Sequence, residues 1–507
     1  MSIFFFLKSF LPEIVLSLNI FSQLIFNIYN RSNIKHFYII NKEVLSQILT
    51  SLFCLLLVYF NSNKQIIFYK FFFINSFNET FIKIFFIVFC LVLFVTVWRA
   101  FLIQRINFFE FFTFIVFAIF SLLLLINSLN FIAVYLLIEL QALCFYILSC
   151  FNRTSSFSTE AGLKYFISGS FISGFFLFGC SLVYSVLGTL NFNQISLILS
   201  LTVNDNNEFF LILVGILFII VTFLFKISAA PFHFWSPDVY EGSPLSATIV
   251  FSIIPKLFLM TFLIIWLSTL SLFFFFIRYF LILVGLFSVF VGTFFAIYQK
   301  RFKRIVIYSS IAQIGFLILG LTTSTLSGLS SVYFFLIVYL ISSLLLWSFI
   351  TLFYMFQKKL NFFEKKILIP MYLPNLVNFF QKNPLWSLLL TFIFFSLAGI
   401  PPFIGFFSKF FIINGLIEVS FLFTGLLLIL ISVISVFYYI RFIKLLFFEK
   451  DNLSYKNIEY QTIFLDSYVE LDLFIIVSGM FLLFYVFFNP NFLLLISQLF
   501  SLSNLSV

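Results

Sequence analysis

The stretch FFLILVGILFIIVTFLFKISAAPFHFW, residues 209–235, decides the fold because a membrane-length apolar run is interrupted by a lysine and then by proline. A second stretch, SLAGIPPFIGFFSK at 396–409, repeats the order of small residues, proline and apolar residues. Proline breaks an α-helix, and irregular backbone at membrane depth persists only where protein buries it or where it lines a hydrated cavity. Two such interruptions in two halves of one chain are typical of transporters built from inverted repeats.

The composition is that of a polytopic membrane protein. Only 9% of the 507 residues are charged, against roughly 25% in soluble proteins. Apolar runs of roughly 20 residues recur from end to end and predict about fourteen transmembrane helices. The runs are far too long for the strands of a membrane barrel, so we expect an all-α fold without a large soluble domain.

The two interrupted helices also predict the domain organisation. We expect an N-terminal three-helix segment, two inverted five-helix repeats that each contain one broken helix, and a C-terminal helix with a tail. In chain order these parts are residues 1–108, 109–268, 269–447 and 448–507.

The charge and the cysteines argue against several classes of function. The formal net charge of +10 is dispersed over loops and helix ends, so it indicates membrane topology rather than a nucleic-acid partner. The five cysteines lie in apolar segments without metal-ligand spacing, and we interpret them as small buried hydrophobes. With two histidines and no Gly-rich phosphate loop, the chain is not expected to bind a metal or a cofactor itself.

The coding bias and the N-terminus point to an organelle. Phe accounts for 89 residues, which indicates codon bias in an AT-rich, organellar genome. The start, MSIFFFLKSFLPEI, lacks the Arg-rich, amphipathic character of a transit peptide. We therefore expect the chain to be made in the compartment where it inserts into the membrane.

Five ionisable residues in or beside apolar segments form the candidate site. They are Glu139, Lys226, His233, Lys256 and Lys409. A lysine at the centre of a bilayer helix costs about 2.5–3.5 kcal/mol on insertion scales, so it marks a functional site by default. Burial disfavours a lone charge, whereas Glu139 and Lys226 would keep each other charged and could switch when a proton or a neighbour moves. The alternative is an ion pair that only fixes helix packing.

The other three residues carry alternatives of their own. Lys256 follows Pro255, which is expected to kink the helix and to free a carbonyl that water or the lysine can use. His233 could relay protons between Lys226 and Lys256, or it could be satisfied by freed backbone carbonyls. Lys409 lies nearer the end of its span and could equally snorkel to the surface.

Charged residues elsewhere are interpreted as structural. Glu13 opens the first span and is expected to be an end-of-helix residue, and Lys164 lies near another helix end. Asp238 and Glu241, in SPDVYEGSP, are predicted to lie in a surface loop.

Four segments carry motifs of one known family. FKISAAPFHFWSPDVYEGSPLSAT (225–248) contains a PDVYEG block, and RFKRIVIYSSIAQIGFLILGL (301–321) and SLAGIPPFIGFFSKF (396–410) are further motifs. The opening, LPEIVLSLNI (11–20), also fits. Together they resemble the family of subunit 2 of mitochondrial NADH dehydrogenase (respiratory complex I), the counterpart of bacterial subunit N. The PDVYEG block separates this family from its antiporter-like relatives.

The resemblance implies a proton-translocating membrane-arm subunit of NADH:ubiquinone oxidoreductase, built from two antiporter-like repeats and without a redox centre of its own. It implies that FMN, iron–sulfur clusters and ubiquinone are bound by other subunits of the complex. It further implies neighbours of the subunit 4 and subunit 4L types, accessory subunits, and a place in the mitochondrial inner membrane.

The resemblance also assigns roles to residues. By position, Glu139 and the three lysines match the family's buried glutamate and lysines, and His233 falls in its PFH-x-W motif. Two positions depart from the family pattern, since Gln313 stands where many relatives have His and Phe316 replaces the usual Tyr. A relay through position 313 is therefore not expected.

We expect protons to pass from Lys226 through His233 to Lys256 and then to Lys409, coupled to quinone reduction elsewhere in the complex. One alternative is a subunit of a stand-alone cation/proton antiporter, a class that shares the fold but lacks the PDVYEG block. The other is a non-pumping scaffold whose charges only hold neighbouring helices together.

Overall fold

The structure is a computed structural model, and almost all of the residues that it describes are α-helical. It describes residues 11–30, 36–60, 66–68, 72–74, 77–104, 110–202, 206–269, 274–360, 384–449, 476–481, 483–484 and 491–503. The last predicted span, 469–488, and the connection 357–382 lie largely outside these residues.

The chain forms two compact units. The first comprises the described residues up to Phe280 together with those from Leu499, and the second runs from Leu281 to Gln498. Helices up to α10 belong to the first unit: α1 (Leu11–Asn30), α2 (His36–Phe60), α3 (Phe77–Gln104), α4 (Glu110–Ile126), α5 (Phe131–Ser149), α6 (Ser156–Leu187), α7 (Phe192–Thr202), α8 (Asn206–Ile227), α9 (Trp235–Gly242) and α10 (Leu245–Thr269).

Residues of α11 and α17 fall in both units, and the helices between them belong to the second. These helices are α11 (Phe274–Tyr298), α12 (Phe302–Leu321), α13 (Leu326–Leu360), α14 (Pro384–Ala398), α15 (Ile404–Glu418), α16 (Leu422–Phe447) and α17 (Asn491–Ser503). A short antiparallel hairpin, β1 (Ile66–Phe68) and β2 (Phe72–Ile74), links α2 to α3 and pairs Ile67 with Phe73.

The prediction of an all-α multi-pass membrane protein is confirmed. Among the described residues, nine helices are long and apolar enough to cross a membrane, and four shorter apolar helices accompany them. The total of fourteen spans stays a prediction.

In each unit, the most enclosed helices run through the core. In the first unit almost every residue of the apolar stretch of α10 is buried, and in the second unit the same is true of α12 and α13. Where α6 crosses α8, Gly179 and Gly215 meet, and a Cβ on either one would strike the backbone of the other. Small residues at a crossing let two membrane helices approach closely, which compensates for the weak hydrophobic drive inside a bilayer.

Both predicted interruptions exist, and both have the same backbone. Ser228 and Gly399 follow α8 and α14 with φ angles of 65° and 80°. In the first unit Ala229 N–H donates to the Leu224 carbonyl, and in the second Ile400 N–H donates to that of Phe395. This six-to-one hydrogen bond after a left-handed residue is the Schellman helix ending. Each ending is followed two residues later by a cis X-Pro bond, Ala230–Pro231 and Pro401–Pro402.

The segment SPDVYEGSP is not a surface loop, and that prediction was wrong. Residues Trp235–Gly242 form α9, with Asp238 in its first turn and with Tyr240 almost fully buried. Asp238 Oδ2 lies 3.2 Å from Lys164 Nζ of α6 in an exposed ion pair, which contributes little to stability. An acidic residue in the first turn also favours helix formation through the helix dipole.

Candidate functional site

The first interruption places Lys226 opposite Glu139 of α5. Because α8 ends at Ile227, Lys226 lies in its last turn, where the partial negative charge of a helix terminus favours a cation. Lys226 Nζ lies 4.0 Å from Glu139 Oε1. The structure therefore brings together the two residues that the sequence predicts as partners.

Glu139 and Lys226 face each other without a direct hydrogen bond, and we call them the open pair. A separation of 4.0 Å exceeds hydrogen-bond distance, and neither Glu139 Oε1 nor Lys226 Nζ has a hydrogen-bond partner among the described residues. A cavity of about 10 Å³ is lined by both residues together with Tyr135, Ser173 and Thr222. Such a space holds roughly one water molecule. The two groups are thus arranged with room for water between or beside them.

At the first interruption, a side chain of α9 forms a hydrogen bond with a backbone carbonyl at the end of α8. Trp235 Nε1 donates at 3.0 Å to the carbonyl of Phe225 near the end of α8, which also accepts the backbone N–H of Ser228 at 2.9 Å. His233 is buried, and its carbonyl accepts the backbone N–H and the hydroxyl of Ser236. His233 therefore lies in the interruption as predicted, while its part in a proton relay stays a prediction.

Lys256 lies in the most enclosed helix of its unit and is only 2% exposed, so it does not snorkel. Its Nζ lies 5.9 Å from the centre of the Tyr240 ring, within cation–π range. The helix α10 continues through Pro255, which leaves the carbonyl of Phe251 without its usual donor. Tyr240 donates its hydroxyl to that carbonyl at 3.0 Å. Tyr240, which the sequence interpretation did not consider, therefore replaces the donor that is missing at Pro255 and also contacts Lys256.

Lys409 turns inward to the second interruption. Its Nζ donates to the carbonyls of Ala398 at 2.7 Å and Leu397 at 3.1 Å, at the end of α14. The same ammonium lies 5.7 Å from the centre of the Phe316 ring. The alternative that Lys409 snorkels to the surface is therefore wrong, because free carbonyls at the end of a helix offer it a partner within the protein.

The sequence interpretation missed a second buried ion pair. Glu13 was expected to be an end-of-helix residue, and it does lie in the first turn of α1, but it is only 4% exposed. Its Oε1 lies 2.9 Å from Nζ of Lys83 in α3, a residue that was not singled out. The signal was the lysine in the apolar run FIKIFFIVF, which is as unusual as the three lysines that were noticed.

Among the described residues, no group of three or more His, Cys, Asp or Glu side chains could hold a metal ion. The chemistry that the described arrangement supports is proton exchange between oxygen and nitrogen atoms and water.

Comparison with known proteins gives a consistent picture. The profile of the family described as NADH:quinone oxidoreductase/Mrp antiporter matches residues 128–437. The chain is 34% identical over 473 residues to NADH-quinone oxidoreductase subunit N of Pelagibacter ubique, covering 89% of this chain and 91% of that protein. It is 36% identical over 358 residues to NADH-ubiquinone oxidoreductase chain 2 of Marchantia polymorpha, covering 68% of each.

The fold is similar to that of a chain in respiratory complex I from Thermus thermophilus. The TM-score is 0.73 at 20% identity, and the superposition covers 95% of this chain and 98% of that chain.

Proposed function

The chain belongs to the NADH:quinone oxidoreductase/Mrp antiporter family, and from that premise we propose that protons move through it along Glu139, Lys226, His233, Lys256 and Lys409. Within the family it is an antiporter-like, proton-pumping membrane-arm subunit of the complex I type. The family includes both oxidoreductase subunits and antiporters, so the residue-level path needs its own support and its own test.

The main support for this proton path is the Glu139–Lys226 pair in the first unit. A carboxylate and an ammonium held 4.0 Å apart beside a water-sized cavity can exist as two charges or, after one proton moves, as a neutral acid and a neutral amine. In a medium of low dielectric the balance between these states responds strongly to a neighbouring charge. Quinone reduction elsewhere in the complex would shift that balance, and Lys226 would pass its proton onward.

The later steps rest on the enclosed lysines. Lys226 would pass its proton by way of His233 and water to Lys256, and from there the proton would go on to Lys409. Lys256 is buried in the core helix of the first unit, and Lys409 is held at the interruption in the second unit. Each is a protonatable group whose amine contacts other residues of its own unit, and ionisable groups in membrane segments are candidates for a relay.

The wider assignments follow from the same premise. The matching backbone of the two interruptions supports two inverted repeats, at 109–268 and 269–447, between an N-terminal segment (1–108) and a C-terminal part (448–507). The coding bias and the similarity to a mitochondrial-type chain 2 support the mitochondrial inner membrane. Neighbours of the subunit 4 and 4L types would then adjoin this chain, and FMN, iron–sulfur clusters and ubiquinone would be bound by other subunits.

Lys226→Met in the intact, reconstituted complex tests the path. We expect assembled complex that oxidises NADH but moves fewer protons for each NADH oxidised. The matched control is Lys164→Met, the same change at an exposed lysine whose surface ion pairs contribute little. An unchanged proton yield in Lys226→Met would rule out the path, whereas equal losses in both variants would show that the effect is not specific to the buried pair.

The alternative function within the family is that of a cation/proton antiporter without redox coupling. It predicts sodium-dependent proton exchange by the purified chain in vesicles in the absence of NADH. We expect no such exchange, and we expect the chain to migrate with NADH-oxidising activity when membranes are solubilised in mild detergent.

A further inference from the structure

The N-terminal helices contain a buried polar region that the path through Glu139 does not use. In it, Lys83 Nζ lies 2.9 Å from Glu13 Oε1, and Asn127 Nδ2 approaches the same oxygen at 3.5 Å. All three residues are less than one-twentieth exposed. Both donors converge on one carboxylate oxygen, and the other, Oε2, has no hydrogen-bond partner among the described residues.

A row of polar side chains continues from this cluster between α1 and α2, and we name it the polar seam. The two helices are antiparallel, since Cys54 contacts the Pro12 carbonyl at one end and Asn19 bonds to Thr50 further along. The seam is formed by Asn19, Gln23, Gln47, Thr50 and Ser51. From Glu13 to Gln23 it extends over about 15 Å of helix, at a rise of roughly 1.5 Å per residue.

The seam has unfilled hydrogen-bonding capacity and space to fill it. Gln47 Oε1 and Asn127 Oδ1, like Glu13 Oε2, are buried acceptors without a donor among the described residues. A cavity of about 20 Å³ borders the seam, and its lining is mostly apolar, with Cys54 and Cys90 in its wall and with Asn19, Gln47, Thr50 and Ser51 as its polar members. Buried acceptors are almost always satisfied, and the cavity is large enough for a water molecule that bonds to these polar members.

We propose that Glu13, Lys83 and the polar seam form a second, water-containing proton-binding site in the membrane. Water in the cavity donates to Gln47 Oε1, and further water donates to Glu13 Oε2 and Asn127 Oδ1, which do not line that cavity. A proton delivered by this water bonds to Glu13 Oε2 and gives a neutral acid while Lys83 keeps its own proton, and the reverse step returns the proton to water. The presence of water stands independently of pumping, whereas the use of the site during pumping rests on the proposed function.

Asn127 links this site to the helix that carries Glu139. It lies in the short connection between α4 and α5, and three residues later the side chain of Asn130 caps the N-terminus of α5 by accepting the N–H of Ile132 at 3.0 Å. A change of charge at Glu13 therefore acts on a residue close to the start of α5. The second site therefore contacts the connection that leads into the helix that carries Glu139.

The water is tested by X-ray hydroxyl-radical labelling of the intact complex, read by mass spectrometry. Radicals form from bound water, so Cys54 and Cys90 should be oxidised several-fold faster than Cys180, which is also buried but does not line this cavity. Gln47→Leu should suppress labelling of Cys54, and the matched change Gln141→Leu in α5 should not. Equal labelling of the three cysteines in the wild-type complex would overturn the proposal.

The proton-binding role is tested with Glu13→Gln, Lys83→Met and the double variant. Each single change removes one charge of the buried ion pair and keeps the other, so assembly should fall, and the double variant should assemble better than either. We expect the proton yield per NADH of the assembled double variant to remain below that of the wild type. Full recovery of the yield would show that the pair is only structural. Lys226→Met, measured in parallel, reports on the proposed function separately.

Discussion

The two interruptions share a backbone but hold their lysines in opposite ways. In the first, Lys226 comes before the Schellman ending and faces a carboxylate, Glu139, at 4.0 Å. In the second, Lys409 comes ten positions after Gly399 and reaches back to the carbonyls of Leu397 and Ala398. The first arrangement pairs two groups that can both gain or lose a proton. The second holds an ammonium against groups that cannot titrate.

The difference suggests a division of labour. A pair of titratable groups can switch between charged and neutral states, so the first interruption is suited to respond to a neighbouring charge. Backbone carbonyls accept more strongly from the charged form of Lys409 than from the neutral amine, so the second interruption is suited to hold a proton until it is released.

Lys226→Met should destabilise the complex more than Lys409→Met. It leaves the carboxylate of Glu139, which is 23% exposed, without its partner, and the cost should lie below the roughly 3–5 kcal/mol of a fully buried pair. Adding Glu139→Gln should restore most of the thermal stability lost in Lys226→Met and none of that lost in Lys409→Met. Thermal denaturation of the purified complex measures both effects, and equal rescue of the two variants would abolish the contrast.

Gly405→Ala should destabilise the second interruption without a counterpart in the first. A Cβ at Gly405 would collide with the backbone carbonyl of Ser396, and overpacking of this kind costs about 1–3 kcal/mol. The matching position in the first interruption is Phe234, which is 78% exposed, so Phe234→Ala should change stability little. A tolerated Gly405→Ala would mean that the close approach of α14 and α15 is not required.

Tyr240→Phe should lower stability by about 1 kcal/mol, because the Phe251 carbonyl loses the hydroxyl that replaces its helical donor. The aromatic ring beside Lys256 is retained, so a change in proton yield would have to come from the hydroxyl itself. Tyr333→Phe, at a similarly buried tyrosine in the second unit, is the comparison variant. A neutral Tyr240→Phe would show that the freed carbonyl finds another donor.

Ser228→Gly should stabilise the first interruption slightly, by up to about 1 kcal/mol. Ser228 has a φ of 65°, and its buried hydroxyl has no hydrogen-bond partner among the described residues. The reverse exchange, Gly399→Ser, should be unfavourable, since a Cβ there would press on the Lys409 side chain. Opposite shifts in melting temperature would confirm that the two backbones are equivalent, and shifts of the same sign would contradict it.

Sequence was sufficient for the features that depend on residue chemistry. A proline after small residues predicts both interruptions, and ionisable residues within apolar spans mark Glu139 and Lys226 as a candidate pair. The direction of Lys409 could not be predicted, because the carbonyls that hold it become available only when α14 ends before Gly399. The helix α9 was missed because Pro, Asp and Gly in SPDVYEGSP favour a turn, and buried contacts of Tyr240 override that preference.

Two further contacts could not be predicted from the sequence, because they form only when the helices pack. Lys83 and Glu13 are separated by 70 positions and meet only when α1 and α3 pack together. Tyr240 finds the Phe251 carbonyl only because Pro255 removes its usual donor. The roles assigned to Glu139, Lys226, His233, Lys256 and Lys409 in proton transfer, and the repeat boundaries, remain predictions.

Glu139 and Lys226 are proposed to bind and release protons, and not merely to hold two helices together. The charge-swapped variant Glu139→Lys/Lys226→Glu tests it most directly, because the swap keeps an ion pair but reverses the order of acid and base. We predict that the complex assembles and oxidises NADH while the number of protons moved per NADH falls. Normal assembly with an unchanged proton yield would contradict this role and would show that the pair only fixes helix packing.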